Sequence, residues 1–200
     1  MLKIFMFARS LTGAILLFFF LASIANGQVE ESGADDPIRF GELSSATTIE
    51  VFIDFQCPSC AALYPKLKAV AGKPSKGVSV IFRHIPLSIH DKAMIAAQAV
   101  EAARKQGKAV QMVDIILTNQ HLWSNSPKTK TFSAYARKLG LDLERYDEDF
   151  QSEATRERIE NDIARARFLN IQSTPTVYLN GRQLTFAEAH DIESLVLQGH

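Results

Sequence analysis

The only two cysteines in this chain of 200 residues are Cys57 and Cys60, which are separated by two residues in the stretch FQCPSC. Two sulfurs at this spacing can form a structural disulfide, supply half of a metal site, or act as a redox pair. A disulfide between them would close a very short loop, which removes little entropy from the unfolded chain and stabilises a fold only modestly. The residues that flank the two cysteines distinguish among these three roles.

A strand is predicted before the first cysteine and a helix directly after it. Residues 47–55, TTIEVFIDF, are rich in β-branched and aromatic side chains, which favour a mostly buried strand. The segment PSCAALYPKLKAVAG has helical spacing, with Pro58 suited to the first turn and Gly72 to the C-terminal cap. Cys57 is therefore predicted at or next to the helix N-cap, where unpaired N–H groups and the helix dipole favour a thiolate. Cys60, one turn further along, is close enough to attack a mixed disulfide formed on Cys57.

A metal site is the less favoured alternative. A tetrahedral zinc site commonly combines one CxxC with a second CxxC or with two histidines spaced three to five residues apart. The histidines of this chain do not have that spacing, and each is predicted to be a surface or capping residue: His84, His90, His121, His190 and His200. No metal or other cofactor is expected beyond the dithiol itself.

The first 27 residues have the layout of a secretory signal peptide. Lys3 and Arg9 precede an apolar run at 11–25, which small residues follow. The run is shorter than the roughly 18 apolar residues expected of a membrane-spanning helix. Cleavage after Ala25 or Gly27 is therefore favoured over an uncleaved membrane anchor. Export, to the periplasm or an equivalent compartment, is expected, and disulfides form and persist there.

The charge of the chain gives no reason to expect nucleic acid or an anionic membrane as a partner. Residues 1–27 contain two of the 22 basic residues and none of the 22 acidic ones, so the rest of the chain carries a net charge near −2. Arginines and acidic residues are interleaved along one predicted helix, which indicates a solvated face: Arg156, Arg158, Arg165 and Arg167 with Glu153, Glu157, Glu160 and Asp162.

The rest of the sequence predicts strands at both ends and helices in the middle. A second strand is predicted within 76–87, and the pattern is then helical from 89 to 170, ending in one long helix after Asp142. An Asn180–Gly181 dipeptide predicts a hairpin turn, and FAEAHDIESLVLQ closes the chain as a helix. The predicted organisation is a signal peptide at 1–27, a polar leader at 28–37, an α/β domain at 38–88 and 171–200, and an inserted helical domain at 89–170.

This arrangement resembles the DsbA-like branch of the thioredoxin superfamily over residues 38–198. The resemblance rests on DFQCPSC, on Pro65 five residues after Cys60, on FRHIPLSIHDKAMIAAQAVEAARKQGK before the helical insert, on KLGLD at 138–142, and on STPTVYLNG. A bare CxxC is weakly specific, but its combination with a helical insert and a Thr-Pro before a later strand is much more so. The resemblance implies an α/β thioredoxin fold with an inserted helical domain.

The resemblance also implies a thiol–disulfide oxidoreductase in which Cys57 is the nucleophile and Cys60 the resolving thiol. Pro58 and Ser59 then form the active-site loop, while Thr174 and a cis Pro175 bind substrate, since the Thr174 backbone can pair with an extended chain. The expected substrates are unfolded or partly folded cysteine-containing secreted proteins, with a membrane partner to recycle the pair. The chain is expected to act as a monomer.

Oxidation is the favoured direction of electron flow, although Ser59 lacks the imidazole of the CPHC pair found in strong DsbA oxidases. A reductase, an isomerase, and a non-catalytic binding module or chaperone are the alternatives.

One position departs from the pattern of the family, which usually carries a buried acid six residues before the first cysteine to help move the proton of the resolving thiol. Val51 occupies that position here. Strand alternation places Val51 on the face opposite Glu50 and Asp54. Either a bulge shifts the register or another group handles the proton. Glu50 is predicted to be an edge or surface carboxylate, and the role of Asp54 stays open.

Overall fold

The computed structural model describes residues 37–198 except 43, 74–76 and 127–130. The predicted signal peptide, with most of the polar leader, lies outside the described residues. The strands are β1 (Ile38–Gly41), β2 (Thr47–Ile53), β3 (Val78–His84), β4 (Thr176–Leu179) and β5 (Arg182–Gln183). The helices are α1 (Pro58–Ala71), α2 (Ala93–Arg104), α3 (Ala109–Thr118), α4 (Gln120–Trp123), α5 (Thr131–Lys138), α6 (Leu143–Gln151), α7 (Glu153–Phe168), α8 (Phe186–His190) and α9 (Ile192–Gln198).

The strands form one mixed sheet in the order β1-β3-β2-β4-β5. β2 and β3 are parallel, and the other neighbouring pairs are antiparallel. With helices α2–α7 at 93–168 between β3 and β4, this is the predicted thioredoxin fold with a helical insert. β1 is a strand that the sequence pattern does not predict, because its four residues show little periodicity. Within the described ranges, no helix is long and apolar enough to cross a membrane.

The central strand β2 is buried on both faces of the sheet, which explains its nearly continuous apolar run. Ile49, Val51 and Ile53 face the main core, which also contains Leu63 and Leu67 of α1. The side chain of Phe52 faces the opposite side, where it packs with Ala166 of α7 in a second, smaller cluster.

The β2–β3 register runs unbroken from Thr47 paired with Val78 to Ile53 paired with His84. No bulge therefore shifts the register around Val51, and that explanation for its position is wrong. β2 also ends at Ile53, two residues earlier than predicted, because the chain turns at 54–57 to begin α1.

The long helix predicted after Asp142 is two helices, α6 and α7. Ser152 separates them: its backbone is extended, and its hydroxyl accepts a hydrogen bond from Thr155 N, which caps α7. A serine can act as an N-cap within a helical pattern because its side chain satisfies an otherwise unpaired N–H group. The predicted C-terminal helix is likewise divided, at Asp191, into α8 and α9.

The predicted solvated face of α7 is wrong at Arg158 and Asp162, which are both buried. Arg158 Nη1 lies 2.9 Å from Asp162 Oδ1, and Asp162 also accepts hydrogen bonds from Arg83 Nη1 and from His84 N of β3. Because this side of α7 packs on the sheet, its charges are paired in the interior. Alternating signs along a helix do not show which charges are buried.

The prediction that Glu50 is an edge or surface carboxylate is also wrong. β2 lies between β3 and β4, so Glu50 is on an inner strand. Its carboxylate accepts hydrogen bonds from Arg83 Nε at 2.8 Å and from Arg165 Nε and Nη2 at 3.0 Å. Burial would raise the pKa of Glu50, but the hydrogen bonds with these two arginines hold it below its usual value.

His84 is a third correction, because it is fully buried and not a surface or capping residue. Its Nε2 lies 2.7 Å from Glu101 Oε1 in α2, and Arg104 Nε donates to the other oxygen of Glu101. Burial would raise the pKa of Glu101, but the bonds with His84 and Arg104 hold it well below its usual range. A histidine that appears isolated in sequence can thus have its partner 17 residues away.

The predicted hairpin between β4 and β5 is confirmed. Asn180 and Gly181 both have positive φ, at 49° and 83°, as a tight two-residue turn requires. The side chain of Asn180 also accepts a hydrogen bond from Thr48 N of β2 at 2.8 Å, which joins the turn to the central strand.

We expect Gly41→Ala to destabilise the fold strongly. Gly41 ends β1 with φ +89°, and a Cβ there would lie 2.2 Å from the Val78 carbonyl oxygen. Strain and clash together should lower the free energy of unfolding by roughly 3 kcal/mol, measured by urea denaturation. Gly181→Ala is the control, because its φ is similar (+83°) but its surroundings are open. That change should cost only ~1 kcal/mol. Equal losses in the two variants would contradict the importance of the Val78 contact.

Candidate active site

Cys57 lies at the N-cap of α1, as predicted, with an extended backbone and Pro58 in the first turn of the helix. Its carbonyl oxygen accepts hydrogen bonds from Cys60 N at 3.1 Å and Ala61 N at 3.2 Å. The two cysteines are not joined by a disulfide, and Cys57 is 8% exposed and Cys60 1% exposed. Cys57 therefore keeps a small exposed fraction, whereas Cys60 is almost completely enclosed.

The loop before β4 faces the first cysteine. The Thr174–Pro175 peptide bond is cis, in agreement with the sequence expectation. Thr174 O lies 3.3 Å from Cys57 Sγ, across 117 residues of sequence. The antiparallel pairing of β2 with β4 produces this approach, because Phe52 near the end of β2 pairs with Thr176 at the start of β4.

The surroundings of Cys57 lower its pKa to about 5. The largest cause is a hydrogen bond from the Cys60 thiol, which outweighs the opposing effect of burial. The Thr174 side chain and the backbone N–H groups of Cys60 and Ser59 lower it further. The two backbone N–H groups stabilise a thiolate because they point at the sulfur from the N-terminus of α1.

The pKa of Cys60 is raised well above its usual value, first by burial and then by the neighbouring Cys57. At neutral pH the pair therefore consists of one thiolate and one thiol. This asymmetry makes Cys57 the reactive sulfur and keeps the proton on Cys60.

Gln120 of α4 is a site residue that the sequence does not reveal. Its Nε2 donates to Phe55 O at 2.8 Å and to Cys57 O at 2.9 Å. Trp123 lies on the same short helix, where it is buried and stacks edge-on against Phe132. The helical insert thus reaches the turn before the cysteines directly. No local signal distinguishes Gln120 from a surface glutamine.

Gln56, directly before Cys57, ties the same turn to two other segments. Its Oε1 accepts from Lys92 N at 2.6 Å. Its Nε2 donates to Asp91 Oδ1 at 2.8 Å and to Ser124 O at 3.2 Å. The turn is therefore held by long-range hydrogen bonds on several sides, which limits how far the first sulfur can move.

A groove of about 410 Å³ runs from the cis-proline loop along the β4–β5 hairpin. Residues 173–177 and 183–186 line it, together with Ala189. Phe186, at its edge, is 65% exposed. The groove thus offers backbone groups at Thr174 and apolar surface further along. No group of three or more potential metal ligands occurs in the part of the chain that the structure describes.

We expect Cys57 to react with iodoacetamide at a rate that stays constant above pH 6 and falls about tenfold per unit below pH 5, because only the thiolate is a nucleophile. A mass-spectrometric rate profile measures the midpoint, which should lie near 5. In Cys60→Ala the largest stabilising donor is lost, so the midpoint should move up. A midpoint near that of free cysteine in the unsubstituted protein would contradict the described surroundings.

A thioredoxin family model matches residues 34–197. Among curated proteins, the chain is 32% identical to a Na(+)/H(+) antiporter NhaA 3 from Salinispora tropica over 149 residues, which is 74% of this chain and 22% of that protein. The chain thus spans about a quarter of the length of such curated relatives.

Two solved structures show the same fold. A thioredoxin-like oxidoreductase from Silicibacter pomeroyi has a TM-score of 0.69 and 22% identity, covering 85% of this chain and 96% of that one. The thiol-disulfide exchange protein alpha-DsbA2 from Wolbachia pipientis has a TM-score of 0.69 and 16% identity, covering 82% and 87%. The chain therefore belongs to the thioredoxin family, and its fold is that of the DsbA-like thiol–disulfide oxidoreductases.

Proposed function

We propose that the protein is an exported thiol–disulfide oxidoreductase that acts as an oxidase on cysteine-containing secreted proteins. The observation that carries the proposal is that Cys57, which lies beside Thr174 O and has a lowered pKa, is paired with a more deeply buried Cys60 of raised pKa. A pair that served only as a structural disulfide would not need a stabilised thiolate.

In the oxidising direction, a substrate thiolate attacks Cys57 Sγ of the Cys57–Cys60 disulfide. The Cys57–Cys60 bond breaks, and Cys60 leaves and takes up a proton. A second substrate thiolate then attacks the substrate sulfur of the mixed disulfide and releases Cys57 as a thiolate. The substrate dithiol loses two electrons, which the protein pair gains. A stabilised thiolate at Cys57 favours this direction, because a thiol of low pKa is a good leaving group.

The groove beside the cis-proline loop is the proposed substrate site. An extended chain can pair with the Thr174 backbone while a neighbouring side chain lies against Leu184 and Phe186. Binding of this kind recognises the backbone and apolar side chains of the substrate more than its particular sequence, which suits unfolded or partly folded proteins. Pro175 and Thr174 are therefore proposed as substrate-binding residues, with Pro58 and Ser59 forming the loop between the sulfurs.

Export and recycling complete the proposal. The basic start, apolar run and small residues of 1–27 support a cleaved signal peptide and a periplasmic or equivalent location. A reduced Cys57–Cys60 pair needs an oxidant for the next turnover, and a membrane redox protein is the proposed source. The protein is proposed to act as a monomer, and its near-neutral charge supports no role in nucleic-acid binding.

Two substitutions test the proposed roles of the sulfurs. Cys57→Ser should abolish disulfide exchange, because the sulfur that forms the mixed disulfide with substrate is lost. Cys60→Ser should instead accumulate mixed disulfides with substrate through Cys57, since no second thiol resolves them. Non-reducing gels of the exported protein, followed by mass spectrometry, measure both results.

Each variant is the control for the other, because each removes one sulfur. Trapping through Cys60 in the Cys57→Ser variant would reverse the assigned roles. If neither variant formed mixed disulfides while the unsubstituted protein still bound unfolded chains, the exchange activity would be refuted in favour of a binding module or chaperone.

A further inference from the structure

The carboxylate of Asp54, three residues before Cys57, is fully buried. Its Oδ1 accepts a hydrogen bond from Gln56 N at 2.7 Å. Its Oδ2 accepts from Leu87 N at 2.9 Å, and His90 Nδ1 lies 2.7 Å from the same oxygen. A carboxylate can remain buried only when donors satisfy it, and here three donors do so.

The backbone of Asp54 contacts both cysteines. Its carbonyl oxygen accepts a hydrogen bond from Cys57 N at 3.1 Å, which closes the turn at 54–57. Its N–H group is directed at the Cys60 sulfur. A shift of this one residue would therefore alter the position of both sulfurs.

The donors to Asp54 come from two different segments. Gln56 belongs to the active-site turn itself, whereas Leu87 and His90 belong to the segment between β3 and α2. The Asp54 side chain thus joins the active-site turn to the segment between β3 and α2 by hydrogen bonds. The His90 side chain is 19% exposed, so it is less enclosed than the Asp54 carboxylate, which is fully buried.

We propose that Asp54, with His90 as its anchor, is a positioning residue for the Cys57–Cys60 pair: its carboxylate fixes the turn at 54–57 so that both sulfurs keep the contacts described above. The inference rests on the proposed exchange function, in which Cys57 must be a thiolate. Asp54 itself does not touch substrate in this role.

The charge of Asp54 alone predicts the opposite effect. A negative charge near Cys57 disfavours its thiolate, so removal of that charge should make Cys57 more acidic. Two other charged side chains near this turn stay in place: Asp91 accepts a hydrogen bond from Gln56 Nε2, and the Lys92 ammonium donates to Ser124 O. The direction of the change in Cys57 therefore distinguishes positioning from simple electrostatics.

The test is the alkylation midpoint of Cys57 in purified Asp54→Asn. Asparagine has the same size as aspartate but only one side-chain oxygen. It therefore cannot accept all the hydrogen bonds that Gln56 N, Leu87 N and His90 make with the Asp54 carboxylate. We expect the midpoint to rise by about one pH unit, with roughly a tenfold loss of thiolate below it. Glu50→Gln is the matched control, because Glu50 is a carboxylate on the preceding strand β2 whose partners, Arg83 and Arg165, are not in the active-site turn. That variant should lose stability and keep the midpoint.

His90→Ala provides a second variant if Asp54→Asn does not fold. It removes one donor of three and should shift the midpoint upward by a smaller amount. A lowered midpoint in Asp54→Asn, or an unchanged one in folded Asp54→Asn or in His90→Ala, would overturn the proposal. The alkylation measurement needs no substrate, so its outcome is separate from the presence or absence of exchange activity.

Discussion

The stabilisation of one sulfur anion at the N-terminus of a helix is the interaction that gives the candidate site its chemistry. Cys57 is mostly buried, and burial alone would favour its neutral form. The Cys60 thiol, the Thr174 side chain and two backbone N–H groups reverse that preference. These groups belong to α1 and to the cis-proline loop, so both must keep their positions on the sheet for the thiolate to be stabilised.

The helical insert contributes to the same end. Gln120 bonds two carbonyl oxygens of the turn before the helix, and the segment leading into α2 holds the turn through Gln56 and Asp54. The insert therefore adds rigidity to the site and does not merely extend the surface. On the other side of the sheet, paired charges between α7 and β2–β3, among them Asp162 and Arg83, fix the last helix of the insert to the strands.

The features that the sequence predicts well are local ones. The N-cap at Cys57 and the Asn180–Gly181 turn each depend on a few adjacent residues with distinct backbone preferences, whereas the cis Pro175 was expected from the family resemblance. Partners far apart in sequence are not predictable in this way. Gln120, the His90–Asp54 contact and the burial of Arg158 follow from packing of the insert on the sheet, and nothing in the flanking residues marks them. Val51 is a mixed case: its place on β2 was predictable, but only the register excludes a bulge.

The redox potential of the Cys57–Cys60 couple is the most direct test of whether the stabilised Cys57 thiolate makes the pair an oxidant. Ser59 supplies no imidazole to the thiolate, whereas Val51 removes an acid that would oppose it. Equilibration in glutathione buffers, read by Trp123 fluorescence or by thiol alkylation, measures the balance of these effects. We predict a potential well above the roughly −270 mV of thioredoxin and somewhat below the roughly −120 mV of DsbA. A value near that of thioredoxin would contradict it and would indicate a reductase or an isomerase.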